Sequence, residues 1–494
     1  MKSLYVSSNY LVNDSIHGNV LSEDQCQQIN SSALEVLERT GVEVLSEKAR
    51  HLFSKNGCWV EDKRVRFPAG LVEWAIHTAP SRVVLADREG KRKLFLEGSN
   101  SYYGPCTGNT FYIDPITGER RTVLKNDKAV AARLCDALPN IDFVMDFGSP
   151  SDVEPKMADV YSFEALLLNT TKPIVHWGYN VTQYKTMVDM CVEVAGSLEK
   201  LQRNPFIALC SDSGKSWGIH SEEGMAKVMW AAEKGLPQIY APFVVSKTSS
   251  PATLAGILVQ ALSESFVGLV AAQLVRKGTP FILGGIQAIM DRKSGILSYG
   301  SAEFQLLQAA MGKLGQYLKI PILGTAGCTD SKTMDPQLAI EAALSLVTAG
   351  LMGANLVRGV GAIENGETGS LYQLVLCDEV ISYTKRIMRG IEVNDDTLAV
   401  GVINHVGPGG HFLGEEHTLE YFKKEFWFPT LMDRTRYDEW KANGALSMGS
   451  RVKTKTQRLL KEHQPKALSP EVVKKISQIV TSAGAKLSKQ AKNK

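Results

Sequence analysis

The chain has 494 residues, a net charge of +3 at pH 7 and 44% hydrophobic residues. This length exceeds what one barrel of strands and helices needs, and so mild a charge is not typical of nucleic-acid-binding proteins. We identify no apolar run as long as the roughly 20 residues that span a membrane, and the N-terminal residues lack the apolar core of a signal peptide. These features predict a cytoplasmic protein that binds neither nucleic acid nor membrane.

The spacing of cysteines and histidines bears on disulfides and metals. Eight cysteines are scattered without a CxxC pair, which in a chain of this length predicts reduced thiols rather than a disulfide framework. There is no HExxH motif, and His405, His411 and His417 stand six residues apart, which is not the spacing of a zinc site. We expect this chain to bind no metal.

Residues 1–139 are expected to form an N-terminal α+β cap. Ser22 to Thr40 predicts an amphipathic helix, because Ser22 with Gln25 three residues later forms a capping box and apolar residues follow at helical spacing. Strand-like fragments come next, at Val83–Ala86, Lys93–Leu96 and Thr110–Ile113. Asp114 to Gly118 has the composition of a tight hairpin turn.

From Asn140 to His405 one unit recurs: a short apolar run, a Gly-rich or polar stop, and a longer stretch with helical spacing. Eight of the runs have the length and composition of buried parallel strands. They are Ile141–Phe147, Pro173–Trp177, Pro205–Cys210, Pro237–Phe243, Pro280–Gly284, Ile320–Gly324, Ala354–Gly359 and Leu398–Ile403. The pattern predicts an α/β fold, a (β/α)8 TIM-type barrel over residues 140–444. A basic helical tail over residues 445–494 follows, either solvated or facing an acidic partner.

In such a barrel the chemistry lies where each strand gives way to the next loop. The residues at these positions, with two from the cap, are Tyr102, Tyr103, His176, Trp177, Asp212, Tyr240, Phe243, Gln287, Thr325 to Asp330, Arg358, Glu364, His405 and His411. They are rich in aromatic rings, whose faces attract quaternary ammonium groups, and they hold no compact acid–base set. We expect them to bind a cationic substrate at the barrel mouth, and we name no catalytic residue. The alternative is that each ring has only a structural role in packing at the barrel mouth. His176 could likewise be a core histidine whose hydrogen bonds are all made within the protein.

Several motifs resemble one known family. They are Tyr103-Gly104-Pro105, the run from Asp114 to Arg121, the run from Leu138 to Asp142, Thr329 to Lys332 with Asp335, and Gly409 to Phe412 with His417-Thr418. In order and spacing they resemble the trimethylamine methyltransferase family from the cap to about Gly444. The resemblance implies a barrel enzyme that moves a methyl group from a methylated amine to the cobalt of a separate corrinoid protein. The corrinoid would then belong to this cognate partner and not to this chain, which we expect to form a homo-oligomer.

One departure from the family narrows the substrate. The trimethylamine enzymes of the family carry pyrrolysine in the loop after the sixth strand. By this resemblance the corresponding position here falls within Gly324–Asp330, near Cys328, and the chain has only standard residues there. Members without pyrrolysine resemble quaternary-amine methyltransferases such as the glycine betaine enzymes. We therefore expect a quaternary amine, with Gly327, Cys328, Thr329 and Asp330 bordering the mouth and Cys328 as a small filler. The alternative for Cys328 is a nucleophile.

Further expectations concern the other end of the substrate. Arg358 ends a predicted strand, where its guanidinium could hold a substrate carboxylate with two hydrogen bonds, and His405 is a neighbouring candidate donor. The alternative is that Arg358 pairs internally with Glu364 or Asp330. Two other functions stay open: methyl transfer from another methylated amine or an unrelated methyl donor, and a non-catalytic betaine-binding or regulatory protein.

Overall fold

The computed structural model describes residues 16, 18–214, 216–246 and 248–492, without the side chains after residue 486. The N-terminal residues considered above for a signal peptide lie outside this part of the chain. The described residues form a cap, a closed barrel, a segment over residues 391–430 with no buried residue, here called the arm, and a C-terminal pair of helices.

The cap contains three helices and five short strands: α1 (Glu23–Glu35), β1 (Val42–Val44), α2 (Glu47–Lys55), β2 (Trp59–Glu61), β3 (Arg64–Arg66), α3 (Ala69–Thr78), β4 (Val83–Ala86) and β5 (Arg92–Leu96). The capping box is confirmed, since Ser22 Oγ accepts from the Gln25 amide at 3.2 Å and Gln25 Oε1 accepts from the Ser22 amide at 2.9 Å. The antiparallel pair β4 and β5 closes the floor of the barrel with four apolar side chains, Val83, Leu85, Leu94 and Leu96.

The remaining strands are β6 (Tyr102–Pro105), β7 (Phe111–Ile113), β8 (Arg120–Thr122), β9 (Ile174–Trp177), β10 (Ile207–Ser211), β11 (Ile219–His220), β12 (Gln238–Tyr240), β13 (Phe243–Val245), β14 (Phe281–Leu283), β15 (Ile286–Met290), β16 (Leu297–Ser298), β17 (Leu323–Thr325), β18 (Leu356–Val360), β19 (Ala362–Ile363) and β20 (Thr368–Ser370). Parallel pairing joins β9, β10, β12 and β14 into one wall and β17, β18 and β6 into another. A parallel bridge from Leu283 to Ile322 links the two walls. The other gap is filled by the segment after Asn140, where Val144 bridges Ile174 and the Asp142 amide donates to Tyr103 O.

Six predicted strands are confirmed, and two predictions need correction. Ile141–Phe147 forms a wall of the barrel but is not a regular strand, since it joins β9 by the bridge at Val144 and β6 by the hydrogen bond from the Asp142 amide to Tyr103 O. The predicted eighth strand, Leu398–Ile403, is wrong, because these residues are helical and lie outside the barrel. The strand that closes the barrel is β6, which we had placed in the cap. It pairs with β18 from Tyr102 opposite Leu356 to Pro105 opposite Val360.

The helices after the cap are α4 (Lys125–Ala137), α5 (Ala158–Asn169), α6 (Val181–Ala195), α7 (Leu198–Arg203), α8 (Glu222–Lys234), α9 (Leu254–Val275), α10 (Ala302–Leu318), α11 (Pro336–Met352), α12 (Leu371–Met388), α13 (Asp395–Leu398), α14 (Val400–Val406), α15 (Glu416–Glu425), α16 (Tyr437–Ala442), α17 (Met448–Glu462) and α18 (Pro470–Lys492). Helix α9 corrects our expectation about long apolar runs, since its 22 residues have the length and hydropathy of a membrane span. Most of its apolar window, 78%, is buried against α8, α3 and α1, as in a core helix.

The C-terminal tail packs on the body of the protein. Val452 of α17 and Ile476 and Val480 of α18 are buried, with α17 lying on α12 and α4, and α18 on α6 and α5. The expectation of a solvated tail is therefore wrong for these inner faces. Lys453, Arg458 and Lys461 are exposed on the outer face of α17, whereas Lys455 is mostly covered and pairs with Asp378 of α12.

Candidate functional site

The barrel interior holds two layers of side chains. The lower layer consists of Tyr102, Phe143, Val175, Leu323 and Leu356, which pack on the floor made by β4 and β5. Side chains of a strand alternate between its faces, so residues two positions further along face the same interior, one step closer to the mouth. This upper layer includes Trp177, Cys210, Ala241, Thr325 and Arg358. It is the layer that a substrate entering through the mouth meets.

Arg358 is the distinctive residue of the upper layer. It is 7% exposed, and within the described part of the chain it makes no ion pair and its Nε has no hydrogen-bond partner. Burial raises the pKa of the Cys210 thiol, and the nearby Arg358 guanidinium acts against that rise, which places the guanidinium inside the barrel. A buried cation without a counter-charge is costly, so this position in the interior is suited to an anionic ligand.

The internal ion pair considered above for Arg358 does not form. Glu364 instead receives two hydrogen bonds from Arg120, at 2.7 Å and 3.0 Å. Asp330 accepts from the Tyr299 amide at 2.8 Å and from the Ser298 hydroxyl. Both acids are therefore committed to holding loops at the mouth.

Two further buried polar atoms lack partners, one on the residue opposite Arg358 and one on Gln287. Thr325 stands directly opposite Arg358 in the pairing of β17 with β18, and its hydroxyl is buried without a hydrogen bond. Gln287 is 1% exposed, and its amide nitrogen is also without a partner. Gln308 connects the two, because its Oε1 accepts from the Thr325 amide at 2.9 Å and its Nε2 donates to Gln287 Oε1 at 3.4 Å. These unsatisfied groups are suited to binding a polar ligand.

Trp177 supplies the aromatic face. It ends β9, is half-buried, and packs against the interior cluster rather than the outer helices. Strand β9 and strand β18 lie on different walls, separated by β6 and the segment around Val144. Trp177 and Arg358 can therefore contact different ends of one ligand.

The other predicted rings are not beside Trp177 at the mouth. Tyr103 faces outward, fully buried beneath α11, where its hydroxyl lies close to Gly350. Tyr240 also faces outward, packing on Gly268 of α9, with its hydroxyl 2.6 Å from His220 Nδ1. Tyr102 is interior but belongs to the floor layer. Phe243 is 42% exposed and lines a groove on the rim with Trp217. Only Trp177 of the predicted cage therefore faces the upper interior.

His176 lies on the outer side of β9, as alternation from Trp177 requires. It is 1% exposed and meets the edge of Phe163 of α5 at 5.4 Å between ring centroids. Burial lowers the pKa of its imidazole, although Asp146 and Asp159 nearby act in the opposite direction. His176 thus lies behind the barrel wall near two buried acids, its Nε2 has no hydrogen-bond partner among the described residues, and it does not reach the interior.

His405 and His411 are also misplaced by the prediction. Because Leu398–Ile403 is not a strand, both histidines lie on the exposed surface of the arm, His405 in α14 and His411 in the following loop. They are not neighbours of Arg358.

The loop from Gly327 to Asp330 is firmly held against β18. The Gly327 amide donates to Ser345 Oγ at 2.9 Å, Thr329 donates to Glu341 Oε2 at 2.5 Å, and the Asp330 amide donates to the same oxygen at 2.7 Å. The Cys328 thiol is 4% exposed and donates to Gly359 O at 3.2 Å. Burial raises its pKa to about 12. Counted from β6, this loop follows the seventh strand rather than the sixth.

Tyr299 is a mouth residue that the sequence did not reveal. Burial and the neighbouring Cys328 raise the pKa of its phenol, and Arg358 opposes that rise, so the ring lies beside both. It follows the short hairpin of β15 and β16, and the Asp330 carboxylate fixes its backbone. The signal available was its position after a strand, in a loop that carries no recognisable motif.

The comparisons with known proteins agree with this architecture. A family described as trimethylamine methyltransferase (MTTB) matches residues 2–487. The chain belongs to the trimethylamine methyltransferase family. A trimethylamine methyltransferase, MttB, of Desulfitobacterium hafniense (strain DSM 10664 / DCB-2) is 33% identical over 463 residues, covering 93% of this chain and 92% of the relative. A glycine betaine methyltransferase of Desulfitobacterium hafniense (strain Y51) is 30% identical over 474 residues, covering 96% of this chain and 98% of the relative.

A solved structure supports the fold of this family member. The monomethylamine methyltransferase MtmB of Methanosarcina barkeri matches with a TM-score of 0.50 and 10% sequence identity, covering 91% of this chain and 90% of that one. The chain is an amine methyltransferase with an α/β barrel fold. Since its relatives differ in the substrate that their names give, the choice of substrate has to be argued from the site.

Proposed function

We propose that this methyltransferase takes its methyl group from a quaternary amine that also carries a carboxylate, of the glycine betaine type, and passes it to cobalt(I) of a separate corrinoid protein. The observation that carries the proposal is Arg358, a buried guanidinium in the barrel interior without a counter-charge among the described residues. A substrate carboxylate would supply that charge with bidentate geometry, and the Thr325 hydroxyl directly opposite would add a hydrogen bond.

The cationic end of such a substrate fits Trp177. A quaternary ammonium has no N–H to donate, so an indole face is a suitable surface for it. With the carboxylate held by Arg358 and the ammonium against Trp177, the methyl groups would point toward the mouth. Trimethylamine lacks a carboxylate and would leave the buried guanidinium unpaired.

The reaction needs no acid or base from this chain. The electron pair of cobalt(I) forms a bond to the methyl carbon, the carbon–nitrogen bond breaks, and its electron pair stays on nitrogen, which leaves as a neutral tertiary amine. The protein would hold the ammonium in line with the cobalt and exclude water, which is catalysis by positioning. We place the corrinoid on the partner and assign this chain no cofactor.

A substrate panel tests the proposal. Methylation of cob(I)alamin would be followed by its absorbance with glycine betaine, carnitine, butyrobetaine and proline betaine, and with choline and trimethylamine as compounds without a carboxylate. We expect turnover with at least one of the four carboxylates and turnover at least ~10-fold lower with choline and trimethylamine. Equal or better turnover with trimethylamine would overturn the assignment. The cytoplasmic location stays a prediction.

A further inference from the structure

The hydroxyl of Tyr299 is a hydrogen-bonding group at the barrel mouth that the fold does not use. Tyr299 follows β16, its side chain is partly buried, and within the part of the chain that the structure describes both of its hydrogen bonds are made by its backbone. The amide donates to Asp330 Oδ1 at 2.8 Å, and the carbonyl accepts from Gln305 Nε2 at 2.9 Å. The phenol hydroxyl is therefore available to a ligand.

The ring of Tyr299 is held in one place by its neighbours. It meets the ring of Phe304 on α10 edge to face, with 5.0 Å between the centroids. It also lies against Gly366, where an added Cβ would be only 2.7 Å from Tyr299 Cε2. The absence of a side chain at position 366 thus leaves the room that the ring occupies. A ring that is already fixed loses little freedom when its hydroxyl binds a ligand.

The loops around Tyr299 bring it to the ends of β17 and β18. Asp330, which binds the Tyr299 amide, belongs to the loop that follows β17. Asn365, in the turn that follows β18 and β19, donates from Nδ2 to Leu297 O of β16 at 3.0 Å. The hairpin of β15 and β16 is therefore tied to both loops. Tyr299 lies on the mouth side of the strand end that carries Arg358.

The electrostatic neighbours of the phenol agree with this placement. Burial raises the pKa of the Tyr299 phenol, Cys328 adds to that rise, and the Arg358 guanidinium opposes it. Cys106 acts in the same direction as Cys328. Cys328 follows β17 and Cys106 follows β6, so the phenol faces the same part of the interior as Arg358. With a raised pKa the hydroxyl keeps its proton at pH 7 and is a hydrogen-bond donor.

Donors without a partner thus face one part of the interior from three residues. Arg358 Nε and the Thr325 hydroxyl are both buried without a hydrogen bond to any described residue, and the two residues stand opposite each other in the pairing of β17 with β18. The Tyr299 hydroxyl is the third donor. A carboxylate has two oxygens with about four acceptor positions, so it can accept two hydrogen bonds from a guanidinium and still accept from hydroxyl groups. A neutral ligand would leave the guanidinium charge uncompensated.

On the basis of the proposed function, we propose that Tyr299 is a specificity-determining residue whose hydroxyl donates a hydrogen bond to the substrate carboxylate held by Arg358. The ring closes the carboxylate end of the site on the mouth side. The ammonium end, at Trp177, stays open to the corrinoid partner. Choline carries a hydroxymethyl group in place of the carboxylate, so it gains no charge-assisted hydrogen bond from Tyr299.

Titration calorimetry of the chain alone, with glycine betaine, carnitine and choline, tests the role of the hydroxyl. We expect Tyr299→Phe to raise the Kd of the carboxylate that wild type binds by roughly 10- to 30-fold, because a hydrogen bond to a charged group is lost, and the Kd of choline by less than ~2-fold. In the Arg358→Ala background the same change should raise the Kd of the carboxylate by less than ~3-fold, since the guanidinium no longer brings the carboxylate to the hydroxyl. KM for methyl transfer to cob(I)alamin should follow the Kd values.

Tyr372→Phe is the matched control. Tyr372 also has a partly buried phenol, but its hydroxyl donates to Pro115 O at 2.6 Å. Removing this hydroxyl breaks a hydrogen bond of the fold, so the Tm should fall while the Kd of the carboxylate stays at the wild-type value. Tyr299→Phe should show the reverse, with an unchanged Tm and a weaker carboxylate complex. A role of Tyr299 in the fold alone would lower the Tm and leave the Kd unchanged.

The remaining outcomes separate this role of Tyr299 from the proposed function. If Arg358→Ala weakens carboxylate binding and Tyr299→Phe does not, Tyr299 does not bind the carboxylate, and the proposed function stands. Equal losses for the carboxylate and for choline would also overturn the role of the hydroxyl. If wild type binds choline or trimethylamine more tightly than either carboxylate, the proposed function fails, and the role of Tyr299 fails with it.

Discussion

Arg120 holds Glu364 with a two-pronged hydrogen bond, its Nε at 2.7 Å and its second guanidinium nitrogen at 3.0 Å. Partial burial acts against the charged carboxylate, yet the hydrogen bonds from Arg120 and Thr368 keep the pKa of Glu364 below its ordinary value. The carboxylate of Glu364 is thus paired with Arg120 of strand β8 and not with Arg358. Because Glu364 is paired with Arg120, it does not neutralise the positive charge of Arg358 in the barrel interior.

Replacing Arg358 should change which substrates are used. We expect Arg358→Ala to raise KM for a carboxylate-bearing quaternary amine by roughly 100-fold, since a charged bidentate contact is lost. KM for choline, which has no carboxylate, should change by less than ~3-fold. The measurement is steady-state methyl transfer with both substrates. If both KM values rise together, Arg358 serves the fold and does not recognise the carboxylate.

Trp177 should contribute through the face of its ring. Trp177→Leu removes a cation–π contact of about 2 kcal/mol, so substrate binding measured by calorimetry should weaken by roughly 30-fold. Trp177→Phe keeps an aromatic face and should lose clearly less. The control is Trp59→Leu in the exposed β2 strand of the cap, for which binding should equal that of wild type. If Trp177→Leu and Trp177→Phe lose the same amount of substrate affinity, the ring acts only by filling space.

The alternation of strand faces explains why the aromatic cage was only partly predicted. Composition identifies Tyr102, Tyr103, Trp177 and Tyr240 as lying at strand ends, but one position of register decides whether a ring enters the interior. Tyr103 and Tyr240 face the helices and Trp177 faces inward, which apolar runs without a polar face do not reveal. Arg358 was singled out as a charged residue within a buried strand, but the sequence could not decide between a ligand and an internal ion pair with Glu364 or Asp330, which the structure does not form.

The predicted eighth strand, Leu398–Ile403, was wrong because an apolar run alone does not show what covers it. Leu398–Ile403 is apolar enough for a strand, but its apolar side chains lie on the arm, where no described residue buries them. The true closing strand contains glycine and proline, which are rare within sheets, and it pairs with residues some 250 positions later. Local patterns carry no information about a pairing over that distance, whereas the capping box of Ser22 and Gln25 is local and was predicted correctly.

His220 should make stability depend on pH. Burial lowers its pKa from 6.5 to about 3, so the folded protein holds a neutral ring while the unfolded chain binds a proton. The stability that this provides is complete above pH 6.5 and is lost as the pH falls toward 3. His220→Gln, which can still hydrogen-bond to Tyr240, should flatten the fall in the free energy of unfolding over that range, measured with urea. The exposed His77→Gln should keep the wild-type slope, and an unchanged slope in His220→Gln would disprove the assignment.

Cys328 should prove dispensable for the chemistry. With a pKa of about 12, its thiol carries almost no thiolate at pH 8, and its single hydrogen bond to Gly359 O is one that serine can also make. Cys328→Ser and Cys328→Ala should therefore keep most methyl transfer, with a loss of stability of about 1 kcal/mol seen as a lower Tm. Iodoacetamide should leave wild-type activity unchanged at pH 8. The buried Cys377, which also neighbours Gly327, serves as the control, since Cys377→Ser should behave alike. Loss of methyl transfer in Cys328→Ser alone, with substrate binding intact, would instead make this cysteine a covalent carrier of the methyl group.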